Sequence, residues 1–348
     1  MEVLYNAGGE FKFHTIPFPK ITKPNEVIVE VKAAGLCGSD LEILNQRMVL
    51  PTGVTLGHEI SGIVDDVGEG CKTIKKGDRV TLDPLAHCGG CLHCTTSRLN
   101  FCTHEGVENA LGLGKNGGFA KYVLTNEEQC LKLPDSLNFE HACLVEPYAT
   151  TLHLMSRASP IKDYFKVLIF GAGPIGILGI LNMHYNMPNI NVVVCDISSK
   201  RRKVLEDLNF ENVKVVDAEY LENEFLQNKE NPEYGYDCVF EMSGSESALK
   251  FGFQLLAKRG KLVIFGVVDE KCCDIFKPSE IFFKELTITA SLSGPDELNM
   301  AIGELEILSK NGLLELSKLN MKVIPLKEAL NGLNDFINHE VTKVIIKP

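Results

Sequence analysis

The second half of the chain alternates short apolar runs with segments of helical spacing. From Lys166 onward, each run is rich in β-branched or aromatic residues and each is followed by a longer amphipathic or apolar segment. We predict strands at residues 167–170, 192–195, 214–216, 236–240, 262–265 and 286–289. Continuous apolar strands separated by helices are typical of a parallel sheet covered on both faces. This pattern predicts a doubly wound α/β domain at about residues 148–291.

The first 147 residues have a different pattern, with short alternating runs such as residues 27–31 between glycine-containing turns. Gly8-Gly9 and Gly117-Gly118 are two of these turns. Such spacing favours a twisted antiparallel barrel or sandwich. The tail, residues 292–348, contains an amphipathic helix near 297–309 and a final strand at 343–346. We expect the tail to return to the first domain.

Composition narrows the possible functions. The chain has 348 residues, 45% of them hydrophobic and 23% charged, which favours two soluble globular domains. Its formal net charge of −11 disfavours nucleic acid as a partner. The N-terminus lacks the basic start and apolar run of a signal peptide, so we expect a cytoplasmic protein.

One uncharged stretch, between Lys166 and Asp196, raises the question of a membrane span. Its apolar part, residues 167–181, is shorter than the roughly 20 residues that a spanning helix needs, and Pro174 interrupts it. A buried strand followed by a buried helix explains the stretch better.

Four cysteines lie within fifteen residues, at Cys88, Cys91, Cys94 and Cys102. Thiolates at this spacing, separated by tight glycine-containing turns, can surround one tetrahedral Zn²⁺. Disulfides or simple packing are the alternative, and His87, His93 and His104 are possible substitute ligands. We predict a closed structural zinc site in a lobe at about residues 86–104. The other cysteines, Cys272 and Cys273 among them, are interpreted as packing or incidental thiols.

A GxGxxG motif, Gly171-Ala172-Gly173-Pro174-Ile175-Gly176, follows the first predicted strand of the α/β domain and opens a helix at about Pro174. Gly171 permits the tight turn, Gly173 lets the backbone approach a pyrophosphate, and Gly176 allows close packing of helix on strand. Asp196 follows about twenty residues later, where a carboxylate can bind the ribose diol of NAD. The same charge disfavours NADP, although Arg201 and Lys200 keep it possible. The alternative is a glycine-rich turn in a domain that binds no nucleotide.

Three segments of the first domain carry groups suited to a catalytic zinc site. They are Cys37-Gly38-Ser39-Asp40, Gly57-His58-Glu59 and Glu146-Pro147. A thiolate, an imidazole and carboxylates are the mixture found where zinc keeps one position open for substrate.

Together these motifs resemble the zinc-dependent medium-chain dehydrogenases of the alcohol, polyol and threonine dehydrogenase superfamily, over nearly the whole chain. The matching segments run in the family's order: 37–40, 57–59 with Gly62, 77–80, the four cysteines, 117–120, 146–147 and 171–176. The resemblance implies a GroES-like catalytic domain, residues 1–147 and 292–348, and a Rossmann domain. It also implies two zinc ions per subunit.

By this resemblance Cys37, His58 and Glu146 are the catalytic-zinc residues, and Glu59 is a fourth or exchanging ligand. Glutamate at 146 is similar to polyol dehydrogenases, since alcohol dehydrogenases proper carry cysteine there. Ser39 is placed to take the proton of the alcohol, although a turn serine bonded to its own backbone is the alternative.

Two departures from the family pattern affect the interpretation. Glu42 stands where relatives often have a histidine that relays the proton, so either Glu42 relays it or the route runs through ribose and water. Several sorbitol dehydrogenases lack the four-cysteine lobe, which weakens any assignment to sorbitol itself.

The resulting hypothesis is an NAD-linked oxidation of a secondary alcohol, such as a polyol, sugar alcohol or diol, to the ketone. A threonine-like 3-hydroxy amino acid is the alternative substrate. Two other classes are a zinc-stabilised nucleic-acid binder, disfavoured because Arg98 is the lobe's only Lys or Arg between Cys88 and Cys102, and an inactive structural relative. We expect a homodimer or homotetramer joined at the edge strand near 286–289.

Overall fold

The structure, a computed structural model, describes residues 1–106, 109–268 and 275–348. Cys272 and Cys273 therefore lie outside the described residues. The chain divides into two compact units, one formed by residues 1–149 with 294–348 and the other by residues 150–293.

The first unit is built on a mostly antiparallel sheet. Its strands are β1 (Glu2–Asn6), β2 (Phe11–Thr15), β3 (Glu26–Gly35), β4 (Glu59–Val67), β5 (Arg79–Leu82), β6 (Tyr122–Asn126), β7 (Cys130–Lys132), β14 (Met321–Pro325) and β15 (Lys343–Lys347). The main order is β14-β15-β3-β4-β5-β7, with β6 paired to β3, while β1 and β2 form a separate hairpin. The alternating pattern at 27–31 belongs to β3, whose Val27, Val29 and Val31 enter the core.

The tail joins this sheet through β15, which pairs antiparallel with β3. One feature differs from the antiparallel expectation, because β14 runs parallel to β15. The helix between them, α10 (Ala329–Ile337), makes this possible because a parallel pair requires a crossover connection.

Five helices follow or separate these strands along the described chain, and one of them continues past residue 149. They are α1 (Gly38–Leu44), α2 (Phe139–Ala142), α3 (Val145–Ala158), α9 (Leu298–Lys310) and α10 (Ala329–Ile337). The predicted helix near 297–309 is confirmed as α9. Its apolar stripe, which includes Leu298, Leu305 and Leu308, is buried, as the period of 3.6 residues requires.

The second unit contains the predicted parallel sheet. Its strands are β8 (Lys166–Phe170), β9 (Asn191–Cys195), β10 (Val213–Val216), β11 (Tyr236–Glu241), β12 (Leu256–Ile264) and β13 (Thr287–Ala290). Its helices are α4 (Pro174–Asn186), α5 (Ser199–Leu208), α6 (Ala218–Asn228), α7 (Glu246–Gln254) and α8 (Pro278–Lys284). The order β10-β9-β8-β11-β12-β13, with every pair parallel, is the strand order of dinucleotide-binding folds.

The uncharged stretch after Lys166 forms β8 and the thirteen-residue helix α4. Leu168, Ile177 and Leu181 are fully buried in this unit. Of the helices that the structure describes, none combines the length and apolar character that crossing a membrane demands.

Candidate metal and cofactor sites

Cys37 lies at the point where β3 has ended and α1 begins. It is the N-cap residue of that helix, and its backbone N–H donates a 2.9 Å hydrogen bond to the Asp40 carboxylate. Asp40 is fully buried, so this bond fixes the first turn of α1 inside the protein. The direction of the Cys37 side chain is thereby set.

His58 and Glu59 lie at the start of β4. Gly57 before them has φ +89°, and a Cβ there would lie 2.6 Å from the Phe119 ring, so the turn requires glycine. Glu59 pairs with Gly35, the last residue of β3, two residues before Cys37. The two strand ends therefore bring Cys37, His58 and Glu59 together, with one potential ligand atom from each lying within 4.8 Å of the others. We call these three residues the buried cluster.

Negative charge dominates the buried cluster. Burial by itself would lower the pKa of His58, but the Cys37 thiolate and the Asp40 and Glu146 carboxylates together raise it to about 10. Such surroundings attract a cation. His58 Nδ1 and Glu59 Oε2 are buried without a hydrogen-bond partner in the described part of the chain. Sulfur, nitrogen and carboxylate donors in this state fit Zn²⁺.

The other predicted residues of this site lie at different distances from the buried cluster. Ser39 is adjacent, with Oγ 3.3 Å from His58 Nε2. Glu146, in the first turn of α3, acts electrostatically on His58 but is not among the three residues grouped within 4.8 Å. Removal from water raises the pKa of the Glu146 carboxyl to about 7. Glu42, on α1, pairs with Arg47 at 3.4 Å.

The four predicted cysteines of residues 86–104, the four-cysteine lobe, also come together, with ligand atoms within 4.8 Å of one another. Cys91 Sγ lies 3.5 Å and Cys88 Sγ 3.9 Å from Cys94 Sγ. A tetrahedral zinc with Zn–S bonds of about 2.3 Å needs S–S separations of about 3.8 Å. The lobe therefore fits Zn²⁺ closely. A backbone N–H of Cys94 lowers the pKa of the Cys91 thiol to about 5, which favours the ligating thiolate.

The three histidines near the lobe lie outside this thiol group. His87 instead bonds to the carboxylate of Asp83, with its Nε2 2.7 Å from Oδ2. Asp83 follows β5 and its backbone carbonyl accepts a bond from Gln129, so His87 ties the start of the lobe to the sheet. His104 interacts with Thr103 at 3.3 Å.

The glycine-rich turn has the geometry that the motif predicts. Gly171 has φ +106°, and a Cβ at Gly176 would lie 2.1 Å from the Gly171 carbonyl oxygen. Gly173 is the N-cap of α4 and Pro174 its first residue. Gly173, Pro174 and Ile175 remain partly exposed, so the helix N-terminus is accessible to an anion.

Asp196 follows directly after β9 and is buried. Its two carboxylate oxygens accept hydrogen bonds of 2.7 Å from the backbone N–H groups of Ala172 and Ser198. The side chain thus joins the ends of β8 and β9 and keeps lone pairs for a diol. Arg201 lies beside the turn, with its guanidinium 4.0 Å from where a Cβ of Gly173 would be. Burial lowers its pKa, against the opposing effect of Asp196.

Sequence reasoning named Asp40 only as part of a motif and residue 343 only as the start of a strand, and it did not name Asp83. The role of Asp40 could have been found from its i+3 position after Cys37, which is where a carboxylate bonds an N-cap backbone. Lys343 is a charged residue at the head of β15, followed by three apolar residues, and its Nζ bonds to Glu59. That contact joins residues 284 positions apart, which no local pattern reveals.

Two family models match the chain. The model for the alcohol dehydrogenase GroES-like domain matches residues 23–135, and the model for zinc-binding dehydrogenases matches residues 174–306. Between them they include the buried cluster, the four-cysteine lobe and Asp196.

Individual relatives match along most of the chain. (R,R)-butanediol dehydrogenase of Bacillus subtilis (strain 168) is 31% identical over 360 residues, covering 97% of each protein. Sorbitol dehydrogenase of Halalkalibacterium halodurans is 30% identical over 289 residues, 83% of this chain and 82% of that one. Among solved structures, one described as a zinc-binding dehydrogenase of Sinorhizobium meliloti 1021 bound to NADP has a TM-score of 0.85 at 28% identity, covering 100% of this chain and 99% of that one.

Proposed function

The chain belongs to the zinc-dependent medium-chain dehydrogenase family, and from this premise we propose that it transfers a hydride between a secondary alcohol and NAD, giving the ketone. The observation that carries the proposal is the buried cluster of thiol, imidazole and carboxylate, whose negative surroundings attract a metal cation. The glycine-rich turn with Asp196 supplies the complementary cofactor site in the same chain.

The family resemblance implies Cys37, His58 and Glu146 as the ligands of the catalytic zinc, with Glu59 as a fourth or exchanging one. Because a ligand atom of Glu59 lies within 4.8 Å of those of Cys37 and His58, we propose the reverse order, in which these three would hold the zinc and Glu146 would be the further or exchanging ligand. The four cysteines would hold the structural zinc. When bound, zinc would supply Lewis acidity at the alcohol oxygen and the nicotinamide would supply the hydride acceptor. Ser39 borders the buried cluster, 3.3 Å from His58, where its hydroxyl can accept the alcohol proton and donate its own to ribose or water. Asp40 positions Cys37 through the N-cap bond.

The substrate is proposed to be a diol, polyol or sugar alcohol. Two relatives that match most of the chain are named for butanediol and for sorbitol. Neighbouring hydroxyl groups offer two oxygens to one metal site, so such substrates suit a cluster with few protein ligands.

NAD is proposed as the preferred cofactor, because the Asp196 carboxylate can bind a ribose diol and repels a 2′-phosphate. One structural relative is bound to NADP, so both cofactors have to be tested on this protein. We expect kcat/KM for NAD⁺ to exceed that for NADP⁺, and the reverse order would contradict the assignment.

Subunit assembly and location form a further part of the proposal. β13 is an edge strand of the described six-stranded sheet, and Phe282 and Phe283 just before it are 75% and 79% exposed. Pairing of this edge with a second copy would satisfy its unpaired backbone groups, so a homodimer or homotetramer is expected, and a monomer in solution scattering would contradict it. The ten described cysteines are unpaired, which suits the reducing cytoplasm.

The test is NADH formation from butanediol stereoisomers, sorbitol, xylitol, a sugar-alcohol phosphate and threonine. Each reaction is run before chelation, after chelation and after return of Zn²⁺. We expect activity with a diol or polyol that chelation removes and zinc restores. Turnover of threonine alone would reassign the substrate, and no turnover of any compound by protein with two zinc ions per chain would refute the proposal.

A further inference from the structure

A fully buried ion pair adjoins the buried cluster. Lys343 Nζ lies 2.5 Å from Glu59 Oε1, and the two side chains are 1% and 0% exposed. A lysine in this position loses nearly all of its hydration, which costs free energy that a carboxylate partner offsets. A buried pair of this kind therefore needs an explanation that an ion pair on the surface does not.

The sheet is built to admit this pair. Lys343 opens β15 and Glu59 opens β4, and the strand between them is β3. Gly35 of β3 pairs with Glu59, and a Cβ there would lie 1.8 Å from Glu59 Oε2 and 3.1 Å from Lys343 Cε. Because the φ of Gly35 lies outside the left-handed region, it is space and not backbone conformation that requires glycine here.

The charges around Lys343 are those of the metal site. Glu59 and the Cys37 thiolate raise its pKa against the effect of burial. Lys343 in turn lowers the pKa of Asp40 and of Glu146, whereas Glu59 raises both. Lysine is thus the positive charge facing a group of anions that a metal would also neutralise.

The two oxygens of Glu59 have separate surroundings. Oε1 is bonded to Lys343, whereas Oε2 is buried and has no hydrogen-bond partner in the described chain. One oxygen is therefore held by the protein and the other is left for a ligand. Carboxylates that bind metals are commonly held in this way by a second group behind them.

We propose that Lys343 is an internal counter-cation that keeps the buried cluster assembled when no metal is bound. It is a positioning residue, acting through Glu59. The inference rests on the proposed function only in requiring that a metal bind at Cys37, His58 and Glu59.

The proposal predicts a metal-dependent effect of removing the lysine. In metal-free Lys343→Met, Glu59 has lost its counter-charge, whereas in the zinc-loaded variant the metal still supplies one. The variant should therefore lose more stability without zinc than with it. By linkage, Lys343→Met should bind zinc more tightly at the buried cluster than the wild type does, with a dissociation constant lower by about tenfold or more.

The experiment is thermal unfolding of chelated protein with and without added ZnCl₂. We expect zinc to raise the midpoint of Lys343→Met by at least about 3 °C more than that of the wild type. Glu59→Gln combined with Lys343→Met should recover metal-free stability, because a neutral pair of similar volume is tolerated. Lys347→Met is the matched control, since Lys347 lies on the same strand in an exposed pair with Glu140, and zinc should affect it as it does the wild type.

The outcomes are decisive. Equal losses with and without zinc would assign Lys343 a merely structural role and overturn the proposal, as would a Lys343→Met protein that stays unfolded in both conditions. Folding only with zinc would support it. In a Cys37→Ser background the extra effect of zinc should vanish. Equal zinc content in wild type and Cys37→Ser would instead show that no metal binds at the cluster, and so would refute the proposed function separately.

Discussion

The buried cluster and the four-cysteine lobe are two candidate metal sites built in opposite ways. The lobe takes all its ligands from fifteen consecutive residues, held in turns by their own backbone, and Cys88 is exposed. The buried cluster takes its ligands from two strand ends and is surrounded by further charged side chains, Asp40 and Lys343 among them.

This difference distinguishes a structural metal site from a catalytic one. Four thiolates complete a tetrahedral shell, which leaves no position for a substrate. A shell of mixed ligands inside a charged pocket can leave a position open and adjust the reactivity of what binds there. Mutations should therefore change stability at one site and chemistry at the other.

The largest contrast is expected from Cys37→Ser. Loss of a ligand at the buried cluster removes several kcal/mol of charge stabilisation, so kcat/KM should fall by roughly a thousandfold or more. Circular dichroism and thermal unfolding should show a folded protein, with zinc content lower by one ion per chain. Near-normal turnover would mean that the chemistry occurs elsewhere.

Cys91→Ser is the matched substitution in the lobe. We expect one zinc ion to be lost and the free energy of unfolding to fall by about 3 kcal/mol, because the metal is what holds the turns together. At temperatures where the variant stays folded, kcat should remain within about threefold of the wild type. Intact stability with lost turnover would show that the roles of the two sites are reversed.

Acid should weaken metal binding at both sites, because zinc is released as the ligands take up protons. Glu127 provides a metal-free reference. Its carboxylate accepts hydrogen bonds from the backbone N–H groups of Lys72, Thr73 and Ile74. Although burial opposes the effect, these donors lower its pKa from 4.5 to about 2.

Because the folded-state pKa of Glu127 is depressed, its stabilisation is complete above about pH 4.5 and is lost as the pH falls toward 2. Glu127→Gln should therefore destabilise the chelated protein by about 2 kcal/mol at pH 7, after allowance for its partial exposure. The difference from wild type should shrink below pH 4.5 in denaturant titrations. A difference that stays constant down to pH 2.5 would contradict the assigned hydrogen bonds.

The smallest effect is expected from His87→Phe, which keeps a ring but removes the bond to Asp83. We expect a loss of about 1 kcal/mol in the free energy of unfolding and faster release of the lobe zinc to a chelator, with kcat/KM unchanged. His104→Phe serves as the control, since His104 is bonded to its neighbour Thr103. A large drop in turnover in His87→Phe would link the two sites more closely than the structure indicates.

Much of the fold could be predicted from the sequence because its signals are local. The six strands of the second unit lie within a few residues of the predicted runs, and α4 begins at Pro174 as the motif requires. The four cysteines could be identified as a candidate metal site for the same reason, because they lie within fifteen residues. β14 was missed because residues 321–325 carry a weak apolar pattern, and its parallel pairing with β15 depends on the intervening helix.

At the buried cluster the sequence indicated the reactive groups through family resemblance but not their charged neighbours. The pairing of Glu59 with Lys343 depends on the register of three strands and on the absence of a side chain at Gly35. Such contacts arise from tertiary packing, which periodicity and spacing do not encode. The roles assigned to Ser39, Glu42 and Glu146 remain predictions.

The long separation of Glu59 and Lys343 along the chain has a consequence for the order in which the two sites can be completed during synthesis. At roughly 5 to 20 residues per second, the ribosome adds the lobe's fifteen residues in about 1 to 3 seconds. It adds the 284 residues that separate Glu59 from Lys343 in roughly 15 to 60 seconds. The nascent chain can therefore load the lobe zinc early, whereas the buried cluster acquires its internal counter-charge only after β15 has been synthesised.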